Sequence, residues 1–181
     1  MKTFFSSARL PVMAALALTL VCAPACKRHK VTVQTIEEPT SNLASVVATA
    51  DPHAATQLLS GFYGIEQNAW RWTAGRFSVL LRPPRGAATK GAVLQLKFTI
   101  PETSMPKMKM LTLTGYVNGT PLAPETYAKA GQYTYSRDVP AALLPGDSAR
   151  IDFSLDKTMM PEGADRRELG VVASMIGFQP K

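Results

Sequence analysis

Six side chains able to grip a ligand crowd into residues 63–76: Tyr63, Glu66, Trp70, Arg71, Trp72 and Arg76. The window holds both tryptophans of the protein. Indole faces are flat and apolar and stack on sugar rings, while their edges stay polar. A neighbouring carboxylate accepts hydrogen bonds from hydroxyls and a guanidinium donates to them. The same residue types also anchor cores. In an extended segment Trp70 and Trp72 share one face and Arg71 takes the other. If the shared face is the core, the tryptophans are anchors and Glu66 pairs with Arg71 or with a late arginine. Of the two readings the structural one is favoured, and it predicts that replacing Trp72 destabilises the fold.

Catalysis finds little support in the rest of the chain. The two histidines, His29 and His53, and the two cysteines, Cys22 and Cys26, all precede residue 58. That removes Ser-His-Asp and Cys-His chemistry and histidine-based zinc or iron sites from the segment beyond. No glycine-rich phosphate loop is present. A carboxylate pair of the glycosidase kind could draw on Glu66, Glu102, Asp138 and Asp152, but solvated acids on strand faces are the ordinary explanation. The run Met105-Pro106-Lys107-Met108-Lys109-Met110 offers soft thioethers for Cu(I), yet Lys107 and Lys109 repel a cation and methionines entering a strand serve as core filler. The expectation is a protein without catalytic residues, metal or cofactor.

The N-terminus reads as an export signal. Lys2 and Arg9 precede an apolar run from Val12 to Ala25, too short to span a membrane, which ends in Ala23-Pro24-Ala25 before Cys26. Small residues leading into a cysteine resemble the lipobox of bacterial lipoproteins, which implies acylation of Cys26 and a membrane partner through the lipid. The alternative is ordinary signal-peptidase cleavage at the same site. Residues 1–25 are thus read as signal peptide and 26–57 as anchor cysteine and flexible tether, with Lys27-Arg28-His29-Lys30 beside the lipid surface. A short helix over Leu43 to Ala50 is possible within the tether. Only Cys26 survives processing, so no intramolecular disulfide forms. The net charge of +7 does not point to nucleic acid, because export and the absence of a basic stripe interleaved with aromatics argue against it.

From residue 58 to 181 the dominant signal has period two. Phe77, Val79 and Leu81 alternate with polar or outward positions, as do Leu94, Leu96, Phe98 and Ile100, then Leu111, Leu113 and Val117, then Ile151, Phe153 and Leu155. Tyr133-Thr134-Tyr135 and Val171 to Phe178 add two more candidate strands. Turn residues separate them, with Asn118-Gly119 the strongest hairpin cue because both tolerate positive φ. The pattern predicts an all-β fold, an antiparallel β-sandwich of jelly-roll type, with an immunoglobulin-like arrangement as the alternative.

Four landmarks recur in order: Gly61-Phe62-Tyr63-Gly64-Ile65-Glu66, Trp70-Arg71-Trp72-Thr73, Asn118-Gly119 and Asp165-Arg166-Arg167-Glu168-Leu169-Gly170. Together they resemble a loosely defined group of bacterial β-sandwich modules found alone or beside glycosyltransferase-type domains. The resemblance covers residues 58–181 and implies a carbohydrate-related role. It also suggests that Glu66 and Arg71 meet Arg166 or Arg167, joining the first and last strands. The sequence therefore leads to a non-enzymatic, exported, lipid-anchored protein of the bacterial cell envelope that binds glycan or packs within the envelope layer. The alternative is a structural or assembly lipoprotein with an envelope-protein partner and an aromatic cluster that is all core.

Overall fold

The structure, a computed structural model, describes residues 42–181. The export signal, Cys26 and the basic run 27–30 lie outside the described residues. Ten strands follow in order: β1 (Val46–Ala48), β2 (Leu58–Glu66), β3 (Trp70–Leu81), β4 (Ala92–Ile100), β5 (Leu111–Val117), β6 (Thr120–Pro121), β7 (Glu125–Tyr127), β8 (Gly131–Val139), β9 (Ala149–Leu155) and β10 (Val172–Pro180). Among the described residues helical structure is limited to single turns, consistent with the density of proline and glycine. Every strand pairing is antiparallel.

The strands form one curled sheet in the order β6-β5-β9-β3-β10-β4-β8, folded into the two layers of a sandwich. The fold turns on β3. Its first residues pair with β10, Trp72 opposite Val172 and Arg71 opposite Ala173. Its later residues pair with β9, from Arg76 opposite Ser154 to Leu81 opposite Ala149. One strand thus serves both layers. The switch occurs at Thr73, which is fully buried and ties down the approach to β10. Its amide donates to Val171 O, its carbonyl accepts from Gly170 N at 2.7 Å, and its hydroxyl accepts from Val171 N at 3.1 Å.

Between the layers lies the core predicted by the alternation: Phe77, Val79 and Leu81 from β3, Leu94, Leu96, Phe98 and Ile100 from β4, Leu111, Leu113 and Val117 from β5, and Ile151, Phe153 and Leu155 from β9. Ring contacts bridge the layers. Phe153 stacks at 5.0 Å on Phe77, its partner on the neighbouring strand, and reaches across to meet Tyr135 of β8 edge-on at 6.2 Å. Tyr135 is fully buried, and its hydroxyl donates to Ala123 O and accepts from Gly115 N, so the polar end costs little. The Asn118-Gly119 hairpin forms as expected, both residues at positive φ (48° and 84°) and Val117 opposite Thr120.

The folded unit begins before residue 58. Residues 46–57, expected in the tether, belong to the sandwich, and the short helix considered over Leu43 to Ala50 is strand β1 instead. Strand β1 adds to β10, with Val47 opposite Ile176 and buried. Buried Gln57 fixes the start: its side-chain amide donates to Ala44 O and Leu80 O and accepts from Ala44 N. The segment is too small and polar to announce itself as strand. Its order comes from backbone groups that the free edge of β10 leaves to be paired.

Candidate functional site

The alternation along β3 continues from the core residues back to the aromatic window. Odd positions, Thr73, Phe77, Val79 and Leu81, face the interior. Even positions, Trp70 and Trp72 among them, therefore face out. The two tryptophans do share a face, as expected, but it is the outer face of the layer, and neither belongs to the buried core. Both are half-buried. The favoured structural reading of these residues is corrected accordingly: the fully buried large aromatic rings of the core are Phe77, Phe98, Phe153, Phe178 and Tyr135, not the indoles.

Trp70 and Trp72 line one side of a groove of about 760 Å³ on the outer face of β3, β10, β4 and β8. Strand register sets its floor. Trp72 lies opposite Val172, Val172 opposite Thr99, and Thr99 opposite Gln132, a row that crosses four strands. Three interstrand spacings make that row about 14 Å long. The neighbouring row holds Trp70, Ser174, Lys97 and Thr134, with Lys97 opposite Thr134 and Ser174 extruded by a β-bulge between Ala173 and Met175. Bulges of this kind re-aim a side chain, here turning a hydroxyl residue towards the groove. Tyr133, between Gln132 and Thr134, borders the far end, but its ring turns to the inner face, where it packs on Phe98 at 5.9 Å and Tyr127 at 4.6 Å and its hydroxyl donates to Lys129 O.

Most polar groups of the groove are unspent. Among the described residues the indole N–H groups of Trp70 and Trp72, the Lys97 ammonium, the Gln132 amide and the hydroxyls of Thr99 and Thr134 make no hydrogen bond to protein. The Ser174 hydroxyl donates to Lys97 O at 3.2 Å. Two indoles and a valine at one side, with uncommitted donors and acceptors across the rest of the floor, give the mixed character of a small-molecule or oligomer site.

At one end the groove meets an ion cluster that joins the start and finish of the domain. Arg167 donates to Glu66 Oε1 at 2.7 Å and holds Asp165 through two nitrogens, at 2.9 and 3.0 Å. Its guanidinium also sits 5.3 Å from the centroid of the Tyr63 ring, whose hydroxyl donates to Glu168 O. The side-chain and backbone hydrogen bonds from Arg167 hold the Asp165 carboxyl down at about 2. Gly170 then approaches so closely that a Cβ there would stand 2.7 Å from Ala74 O and 2.6 Å from a Leu155 methyl. The first and last sequence landmarks are thus physically one joint.

Arg71 does not take part in that joint. It donates to Thr49 O at 2.7 Å and Tyr63 O at 2.8 Å, and so fastens the residues after β1 to β2 and β3. Arg76 lies on the outer face of the other layer, beside Arg150, Asp152 and Ser78. Of the six residues singled out, the structure brings Glu66, Trp70 and Trp72 to the groove, places Tyr63 behind Glu66, and sends Arg71 and Arg76 elsewhere. The other acids weighed for catalysis stand apart from the groove, Asp138 paired with Lys181 and Asp152 with Arg150. Among the described residues no group of three or more His, Cys, Asp or Glu is placed to hold a metal ion. Lys97, Thr99, Gln132, Thr134 and Ser174 were not singled out. The wet alternation Gln95-Lys97-Thr99 marked an outer face, but only strand pairing puts that face beside the tryptophans.

No protein-family model matches the chain, and no curated protein matches it. Solved structures with a comparable chain path include the acetyl xylan esterase Est2A from the rumen bacterium Butyrivibrio proteoclasticus (TM-score 0.45, 9% identity, 77% of this chain and 34% of that one). A second is the CBM36-1 domain of a multidomain xylanase from the hindgut metagenome of Trinervitermes trinervoides (TM-score 0.43, 10% identity, 75% of this chain and 96% of that one). A third is a CBM4 structure (TM-score 0.39, 12% identity, 78% and 91%). The chain spans about a third of the esterase's length.

Proposed function

We propose that this protein is a non-enzymatic glycan-binding module, exported and held at the bacterial cell envelope by a lipid on Cys26. One observation carries the binding part. Two indoles lie side by side on an open sheet face, in a groove where, among the described residues, only Glu66, Ser174 and the inward-turned Tyr133 spend a polar side chain on the protein. Residues two apart on a strand are about 6.6 Å apart, so Trp70 and Trp72 together offer a platform wider than one ring. Aromatic faces take up the apolar faces of sugar rings, and Gln132, Thr99, Thr134 and the second oxygen of Glu66 supply partners for hydroxyls. A row about 14 Å long fits an oligomer rather than a lone monosaccharide. Export and anchoring rest on the sequence features before residue 27.

The chain's own fluorescence tests the binding reading, because both tryptophans lie in the groove. Addition of a bound polysaccharide is expected to shift their emission to the blue and protect them from acrylamide. Replacing both by alanine should abolish retention on immobilised polysaccharide while leaving the cooperative unfolding transition in place. Emission that ignores every polysaccharide tried would favour the assembly reading. Export and anchoring are tested separately, by metabolic labelling with a palmitate analogue that Cys26→Ser should eliminate.

A further inference from the structure

Resting on the glycan reading above, we infer that the groove selects an acidic glycan, with Lys97 taking its carboxylate or sulfate about 10 Å from the sugar ring that stacks on Trp70 and Trp72. Among the described residues two charged side chains line the groove, Glu66 and Lys97, and they differ in what surrounds them. Glu66 and Asp165 share the single guanidinium of Arg167, so the Glu66 carboxylate is only partly neutralised by its partner. Lys97 has no counter-ion among the described residues and is exposed. Its neighbours in the groove are neutral: Ser174 on β10 and Thr99 and Thr134 across the floor.

The register converts this asymmetry into a spacing. Lys97 is on β4 and the indoles are on β3, with β10 between them. Two interstrand steps are about 10 Å. An anionic ring over the indoles would face the Glu66 carboxylate, whereas a neutral ring there can donate hydroxyls to it. An anionic group two strands away meets an ammonium flanked by hydroxyls. The groove therefore has a polarity: neutral ring at the tryptophans, anion at the lysine. A glycan mixing neutral and acidic residues satisfies both ends, and a neutral polymer satisfies only the first.

Two matched pairs of polymers test this with the whole chain: carboxymethylcellulose against hydroxyethylcellulose, and polygalacturonate against its methyl ester. The expected result is that at least one acidic member binds about tenfold more tightly than its neutral counterpart at low salt, with the advantage shrinking as salt rises. Lys97→Gln should erase that advantage without moving the thermal midpoint. Arg76→Gln, on the opposite layer, should leave it intact. Equal binding of acidic and neutral members, unchanged by Lys97→Gln, overturns the acidic preference and leaves glycan binding standing. Loss of the advantage in Arg76→Gln as large as in Lys97→Gln also overturns it, because the effect would then belong to the protein's overall positive charge. No tryptophan response to any of the four polymers overturns both this inference and the reading beneath it.

Discussion

The two outer faces of the sandwich are built alike and behave differently. Both carry even-numbered residues of β3, and both show polar side chains in alternation with the core. On the β9 side those groups are spent on each other. Arg150 donates to both oxygens of Asp152 and to Ser78, Ser78 donates to Asp152, and the Arg150 amide is held by Asn118. Burial would raise the Asp152 carboxyl, but hydrogen bonds from Arg150 and Ser78 outweigh it and hold it low. On the β10 side the equivalent positions are indoles, hydroxyls, an amide and an ammonium with few partners in the protein. A face that satisfies itself stabilises the fold. A face left unsatisfied but solvated is available to a ligand at no folding cost, because water serves its polar groups until something replaces it.

The sharpest test of that contrast uses neighbouring residues of one strand. Phe77→Ala is expected to cost about 3–5 kcal/mol in urea unfolding, since Phe77 is buried against Phe62 and Phe153. Trp72→Ala should cost less than half of that and instead lower polysaccharide affinity more than about tenfold, the size of a lost aromatic platform. The reverse ranking would return the tryptophans to the core role.

Gly170→Ala attacks the joint between the faces. The added methyl meets backbone at Ala74 O and the Thr73 hydroxyl within 2.8 Å, and neither can step aside without moving β3. A loss of about 1–3 kcal/mol is expected, together with weaker binding, because Trp72 is the next residue along the strand. Stability lost with affinity fully retained would show that the groove does not depend on this packing.

Smaller effects belong to the ion cluster. Glu66→Lys replaces an attraction to Arg167 by a repulsion at a half-exposed site, and about 1 kcal/mol of stability should go. No change in the unfolding midpoint would remove the cluster from any role in closing the sandwich. The smallest effect is read against pH. Asp165 titrates at about 2 rather than 3.8 because Arg167 binds its charged form. Its contribution is therefore present above about pH 4 and lost as pH falls towards 2. The stability difference between parent and Asp165→Asn should be flat from pH 7 to 4 and then close. A difference that persists at pH 2 would assign it to packing rather than charge.

Much of this was legible before folding. Period two in Phe77-Val79-Leu81 and Ile151-Phe153-Leu155 located strands and core faces, and Asn118-Gly119 located a hairpin, because these signals depend on neighbours in sequence. The outward aim of Trp70 and Trp72 was legible too: carrying the odd-position core face of β3 back through Thr73 puts residues 70 and 72 on the other side. The tryptophans read as core because large aromatics usually are, a statistical prior that the strand's own parity overrides. Residues 46–57 read as tether because their composition is small and polar, and no local signal encodes the edge of β10 that orders them.

What the sequence determined by itself is what parity and turn chemistry can carry: an antiparallel β fold, its core positions and the residues available for a site. What the tertiary structure decided is adjacency. Lys97 and Trp72 are 25 residues apart in the chain and line one groove only because β10, from the far end of the sequence, lies between β3 and β4. Glu66 finds Arg167 rather than Arg71 for the same reason. Hydrogen-bonded ladders fix a strand's neighbours through backbone groups that every residue shares, so no side-chain pattern within a strand says which strand will lie beside it.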